Sequence, residues 1–230
     1  MTDGFDLIFC CMPLPHLPLK AVIFDMDGLM LDTEVIARIA WQRAGEDLGF
    51  TISDALFASF IGRTANDSDA MLREVWGAEF PSTQLRQRIT HHWDTHIAEH
   101  GVPSKPGLVE LLDFLVEKGI RRAVATSSRK ENAKKKLTPY RDYFEVLVTG
   151  DDIRNGKPAP DIFLLAAKEL GLQPEECLVL EDSFAGMRAA KAAGIEAIMV
   201  PDLLTPNEEI DHVRESLHEV RAYLEERLAE

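Results

Sequence analysis

The chain has 230 residues, with 25 Lys and Arg against 39 Asp and Glu, a formal net charge of −14, 46% hydrophobic residues and 28% charged ones. That composition fits a globular protein large enough to bury a core without disulfide staples. The acidic balance excludes a general nucleic-acid binder, and an anionic substrate would need a cation, Lys or Arg supplied locally.

Taken in order, the chain opens with a short apolar run, Leu7 to Met12, preceded by Asp3 and Asp6 and followed by prolines. A secretory signal needs a basic start and a longer apolar run, and no stretch reaches membrane-spanning length. Three cysteines, Cys10, Cys11 and Cys177, are sparse and odd in number, which fits a reducing compartment. Residues 1–18 are therefore expected to be an N-terminal extension of a cytoplasmic protein without a membrane partner.

Ala21-Val22-Ile23-Phe24 then reads as a buried strand that stops at Asp25. Residues 32–104 break into helix-like patterns without a convincing strand. One helix is expected to turn Val35, Ile36, Ile39, Ala40 and Leu48 inward, with others near 64–77 and 82–100. A Gly/Pro-rich linker near 101–107 follows. Beyond it, helix and strand alternate. Leu108, Leu111, Leu112 and Leu115 mark a helix, Ala123–Ala125 and Val146–Val148 are strands, and Ile162, Leu165, Ala166 and Leu170 mark another helix. Leu178–Leu180 and Ala197–Val200 are again strands. Ile210, Val213, Leu217, Val220, Leu224 and Leu228 recur at helical spacing and predict one closing amphipathic helix. This alternation predicts a parallel sheet with helices on both faces. The organisation expected is an α/β core of 19–31 and 105–230, interrupted by a helical insertion over 32–104.

Four polar clusters lie at or near strand ends: Asp25-Met26-Asp27-Gly28, Thr126-Ser127-Ser128, Gly156-Lys157-Pro158 and Glu181-Asp182-Ser183. In a parallel sheet the strand C-termini share one edge, where ligands bind. Asp25 and Asp27 are close enough to repel, so a divalent cation or a shared proton is expected. With Asp182 they offer carboxylates and a main-chain carbonyl, a set that suits Mg²⁺ rather than zinc. Thr126, Ser127 and the backbone N–H groups of their turn can hold phosphoryl oxygens, and Ser128 can cap the helix that follows. Lys157 can neutralise Asp25 and a bound phosphate.

These four clusters, in this order and spacing, resemble the four motifs of the haloacid dehalogenase superfamily, in the β-phosphoglucomutase-like and pseudouridine-5′-phosphatase-like subgroup. The resemblance covers nearly the whole chain after residue 19. It implies a Rossmann-like parallel sheet with an inserted α-helical cap over 32–104. It also implies Asp25 as nucleophile, Asp27 as general acid and base, and Thr126 and Lys157 as stabilisers of phosphoryl charge. Mg²⁺ would be held by Asp25, Asp182 and the Asp27 carbonyl, with Glu181 behind them orienting Lys157 or metal-bound water. Dehalogenases lack the second Asp of the first motif, so Asp27 argues for phosphate chemistry.

In similar enzymes Thr33-Glu34 and the cap loop Ile61-Gly62-Arg63-Thr64 face the site, so Glu34 and Arg63 join Ser127 as expected substrate contacts. The activity expected is Mg²⁺-dependent hydrolysis of a small phosphate ester, a sugar phosphate or nucleoside monophosphate, through an aspartyl phosphate. A β-phosphoglucomutase-type phosphomutase is the alternative. Against it stand Ala37, where that mutase has His, and the lack of any Lys between Lys20 and Lys105. A phospho-accepting signalling protein or a phosphometabolite-binding pseudoenzyme is the alternative of another class. No nucleic acid or membrane is expected as partner, and a monomer is plausible. His92, His96 and His100, with His91 adjacent, read as a partly exposed helix face, and Lys130, Lys134, Lys135 and Lys136 as a solvated one.

Overall fold

Strand β1 (Ala21–Phe24) is buried at all four positions and alternates between two apolar clusters. Val22 and Phe24 join Val124, Leu178, Leu180 and Ile198 on one face, while Ala21 and Ile23 join Ala123, Ala125 and Val179 on the other. A strand buried on both faces reads as a continuous apolar run, which is why Ala21–Phe24 carries no polar residue. Burying Ile23 and Phe24 contributes about 1.5–3 kcal/mol each.

In this computed structural model, residues 19–60, 65–202 and 205–229 are described. Around β1 lie β2 (Arg121–Thr126), β3 (Val146–Thr149), β4 (Cys177–Glu181) and β5 (Glu196–Met199), all parallel, in the order β3-β2-β1-β4-β5. The chain winds outward from β1 through β2 to β3, then crosses to the other side for β4 and β5. The reversal therefore falls beside β1, the place where an open α/β sheet leaves a crevice at its strand ends. Helices α5 (Leu108–Glu117) and α9 (Leu217–Arg227) cover one face, α7 (Asp161–Glu169) and α8 (Phe184–Ala192) the other, and α6 (Lys130–Leu137) turns Ala133 and Leu137 into the first.

Between β1 and β2, among the described residues, four helices run ahead of α5: α1 (Thr33–Asp47), α2 (Asp54–Ala58), α3 (Ala65–Trp76) and α4 (Ser82–His100). They enclose an apolar cluster of their own, including Ala44, Phe57, Phe60, Leu72 and Leu85. Phe50, Trp76 and Phe80 meet there with ring centroids 4.9–5.2 Å apart. The segment leaves and re-enters at one place. Asp32 N–H donates to the Pro103 carbonyl at 2.8 Å, and Lys105 N–H to that of Met30 at 2.8 Å.

Two sequence expectations change here. On α1, Ile36 and Ala40 are buried but Val35 is exposed. The closing helix is shorter than the apolar spacing predicts: it starts at Leu217, where the Ser216 hydroxyl accepts the Glu219 N–H. Val213 instead bridges to Met199 beside β5, with Met199 N–H donating to the His212 carbonyl and Arg214 N–H to that of Met199, both at 2.9 Å. The edge strand's open backbone groups capture this segment and outcompete helical periodicity. On α4, His92 contacts Asp47 at 2.9 Å and His96 packs on His100 at 4.9 Å. Among the described residues no helix is long and apolar enough to cross a membrane.

Candidate active site

The register of the sheet sets the site. Phe24 is level with Val124 on β2 and Leu180 on β4, so the next residues along, Ala125, Asp25 and Glu181, form a row across three strands. Asp25 N–H donates to the Leu180 carbonyl at 3.0 Å, holding the carboxylate at the strand end. Lys157, from the loop between β3 and α7, closes that row. Its Nζ donates to Asp25 Oδ1, to Glu181 Oε1 at 2.6 Å and to the Ala125 carbonyl at 3.2 Å, and lies 5.0 Å from the centre of the Phe163 ring. The side chain is 6% exposed, far from the surface position a lysine usually takes.

Glu181 is fully buried and its carboxylate is saturated. Besides Lys157, it accepts the N–H groups of Asp182 and Ser183 and the Ser183 hydroxyl, each at 2.9 Å. Ser183 in turn caps α8 by accepting the Gly186 N–H at 3.1 Å. Glu181 thus fixes Lys157 on one side and the Asp182 loop on the other.

Asp27 sits in the tight turn after β1, where Gly28 takes φ +89° and a Cβ would overlap Asp182. Its two oxygens are held separately. Ser128 Oγ donates to Oδ2 at 2.8 Å, and Lys136 Nζ donates to Oδ1 at 2.6 Å. Two expectations are corrected by these bonds. Ser128 does not cap α6, whose Lys130 N–H instead donates to Asp151 at 2.8 Å. Lys136 does not belong to a solvated face: its side chain is 10% exposed and its ammonium lies 5.4 Å from the centre of the Trp93 ring on α4.

Thr126 is buried at the end of β2, its Oγ1 accepting the Ser128 N–H at 3.1 Å. Ser127 is exposed at the cleft rim. Asp25, Asp27, Thr126, Ser127, Lys157 and Asp182 line one cleft of about 480 Å³, with Ser128, Glu181 and Ser183 in its wall. The structure therefore gathers these six sequence-predicted residues in one place. Glu34, at the start of α1, is half-buried and does not line that cleft; burial and then Asp202 and Asp32 raise its carboxyl, against Lys105. Arg63 lies outside the described residues. A separate depression of about 280 Å³ is lined by Phe114, Glu117, Lys118, Arg221 and Glu225, on α5, its end and α9, away from the strand ends.

The carboxylates of the cleft are strongly perturbed. Burial pushes Asp25 up to about 7, with Lys157 pulling it down and Glu181 and Asp27 adding to the rise. Burial, then the charges of Asp25 and Glu181, push Asp182 up to about 8. For Lys157, burial opposes the charged form, but the Asp25 and Glu181 carboxylates outweigh it and raise it overall. Two buried acidic groups that resist ionisation together are a donor set suited to a hard divalent cation. Among the described residues no three or more His, Cys, Asp or Glu side chains form a metal-holding group. A site of two carboxylates, a main-chain carbonyl and waters needs no third side chain. Cys177, by contrast, is buried and pushed up to about 11, first by burial and then by Glu176 and Glu175, so it is no thiolate nucleophile.

Sequence reasoning missed Lys136, Trp93 and Gly186. With Ala133 and Leu137 facing the core, Lys136 falls on the same side of α6, which is the only signal the sequence holds for it. Gly186 lies under Glu181, where any Cβ would overlap the carboxylate.

Known proteins share this architecture. The family model of haloacid dehalogenase-like hydrolases matches residues 22–200. The chain is 35% identical over 182 residues to the "Phosphorylated carbohydrates phosphatase" of Thermotoga maritima, covering 78% of this chain and 84% of that one. It is 32% identical over 203 residues to the "Probable pseudouridine-5′-phosphatase" of Drosophila melanogaster, covering 85% and 87%. A crystal structure titled as a putative β-phosphoglucomutase from Thermotoga maritima superposes with a TM-score of 0.80 at 31% identity, over 90% of this chain and 99% of that one. The family match spans the motif-bearing strands and the helical segment alike, and the chain belongs to the haloacid dehalogenase-like hydrolases.

Proposed function

We propose that this hydrolase is a Mg²⁺-dependent phosphatase of small phosphorylated metabolites, sugar phosphates or nucleoside monophosphates, with Asp25 as its nucleophile and α1–α4 as its cap. The observation that carries the reading is the buried row Ala125–Asp25–Glu181 bridged by Lys157, in one cleft with Asp27, Thr126 and Asp182. The relatives' names support the substrate class.

In the first step an Asp25 carboxylate oxygen forms a bond to phosphorus as the bond to the leaving oxygen breaks, and protonated Asp27 gives that oxygen its proton. In the second, water loses a proton to Asp27 and attacks phosphorus, and the acyl-phosphate bond breaks to release phosphate and Asp25. Lys157 holds the nucleophile and offsets the charge on the phosphoryl oxygens, while Thr126 and Ser127, at the end of β2, meet the same oxygens. Asp25 and Asp182, with the Asp27 carbonyl, are the groups that would hold Mg²⁺, which neutralises phosphoryl charge when bound. Ser127 meets the substrate at the rim. Ala37 packs against the apolar cluster of α1–α4, so position 37 supplies no proton carrier for a mutase cycle.

The test is phosphate release from a panel of sugar phosphates, nucleoside monophosphates and phosphoglycolate, with and without Mg²⁺. β-Glucose 1-phosphate with its bisphosphate is included for the mutase reaction. Mg²⁺-dependent turnover is expected, and Asp25→Asn abolishes it. Near-normal activity in Asp25→Asn would sink the nucleophile assignment.

A further inference from the structure

Lys136 presents an anomaly that the chemistry above does not use. Three of the four lysines in its run, Lys130, Lys134 and Lys135, are exposed, yet Lys136 is nearly buried. An ammonium out of water must have partners, and two meet this one from opposite parts of the molecule: the Asp27 carboxylate of the core and the Trp93 ring of α4. It is not among the groups lining the cleft, whereas Asp27 is. Lys136 therefore reaches the reaction only through Asp27.

We propose that Lys136 is a positioning residue for Asp27, and that α4 seats it there through Trp93; the inference rests on the role given to Asp27 in the preceding subsection. A lone aspartate in a turn rotates about two side-chain bonds. Here Lys136 anchors Oδ1 and Ser128 anchors Oδ2, so the plane of the carboxylate is set from outside the cleft. Each carboxylate oxygen accepts about two hydrogen bonds, so both anchors can persist while one oxygen carries or takes a proton on the cleft side. Trp93 covers the ammonium and keeps water from competing for it, which strengthens the bond to Asp27. If α4 moved away, Lys136 would be rehydrated and its hold on Asp27 would loosen. Proton transfer is thereby tied to the cap lying against α6, through residues that never touch substrate.

The experiment compares phenyl phosphate, whose leaving oxygen needs a proton, with p-nitrophenyl phosphate, whose leaving group departs as a stable anion. The full chain is assayed with saturating Mg²⁺, and thermal melting confirms folding. Lys136→Met keeps the apolar stem and removes the ammonium. Its kcat/KM is expected to fall roughly 10–100-fold on phenyl phosphate and less than about threefold on p-nitrophenyl phosphate, because only the first ester leans on a general acid. Trp93→Leu leaves the ion pair in place and is expected to show the same selective loss, on the order of threefold to tenfold. It carries the test if Lys136→Met does not fold.

Equal losses on both esters would mark Lys136 as a structural ion pair, and a rise in KM alone would mark it as a substrate contact. Either result overturns the inference, as does a Trp93→Leu enzyme with an unchanged ratio. Wild-type turnover that Asp25→Asn abolishes would show the parent reading to be sound, leaving this inference to stand or fall on the ratio. Absence of wild-type turnover on both esters and on the metabolite panel removes the two together.

Discussion

Gly186→Ala tests how far the site depends on the buried Glu181 carboxylate. A Cβ at Gly186 would overlap the carboxyl carbon and both oxygens of Glu181, well inside 3.0 Å. Ordinary contact requires an opening of roughly 1 Å or more. Glu181 has nowhere to go, because it is fully buried and holds four donors: Lys157, the N–H groups of Asp182 and Ser183, and the Ser183 hydroxyl. Overpacking of this kind costs about 1–3 kcal/mol. Losing one charged hydrogen bond adds about 1.5–3 kcal/mol. The expected destabilisation is therefore about 2.5–6 kcal/mol, or a fall in Tm of roughly 5–24 °C for a chain of this length.

Because Lys157 loses its fixed partner, kcat is expected to fall on the order of 100-fold with any ester that the wild type accepts. Thermal melting and steady-state kinetics on one preparation read both effects. The double variant Gly186→Ala/Glu181→Ala removes the overlap, so it should be no less stable than Glu181→Ala alone. A Gly186→Ala protein with Tm within about 2 °C and kcat within about twofold of wild type would refute the reasoning.

The remaining predictions concern the charge left in the cleft. Asp182→Asn removes a buried acid, so without metal its Tm at pH 8 should exceed that of wild type, while the Mg²⁺-induced rise in Tm should vanish; an undiminished rise would exclude Asp182 as a ligand. Asp25 and Asp182 are raised to about 7 and about 8 from 3.8, so between about pH 4 and 8 the folded chain binds more protons than the unfolded one, and stability without metal falls as pH rises through that window. Mg²⁺ competes with those protons, so its stabilising effect should be larger at pH 8 than at pH 5, as read by melting at matched ionic strength; a flat Mg²⁺ response would disprove the coupling.

Much of this arrangement is legible in the sequence. The strand ends at Asp25, Thr126 and Glu181 were visible because a parallel strand buried on both faces is an unbroken apolar run, and the first polar residue after it marks the edge. The helices at 65–76 and 82–100 showed through their apolar spacing. α2 did not, since five residues are too few to establish a period. Apolar spacing makes the closing helix too long because Ile210 and Val213 keep helical spacing by coincidence: Ile210 N–H donates to the Asn207 carbonyl in a turn, and Val213 bridges to Met199. Serine before a helix usually caps it, and sequence alone gives Ser128 that role. Whether its hydroxyl turns to α6 or to Asp27 depends on where β1 places Asp27, and no local window contains that information.

Lys136 shows most sharply what a sequence conceals. In a run of four lysines the charge pattern says solvent, and for its three neighbours that is correct. What distinguishes position 136 is its place on α6 beside Ala133 and Leu137, together with two groups distant in the chain, Asp27 and Trp93. The reason such a lysine is needed lies in the cleft itself. Asp25, Asp27, Glu181 and Asp182 bring four carboxyl groups to one sheet edge, and Lys157 contacts only two of them. In the proposed mechanism Mg²⁺ would neutralise Asp25 and Asp182, and Asp27 would keep its side chain free of the metal to exchange protons with substrate and water. On that proposal Asp27 calls for a counter-charge that stays outside the cleft, and the Lys136 ammonium behind it, covered by the Trp93 indole of α4, supplies that charge without occupying the substrate's space.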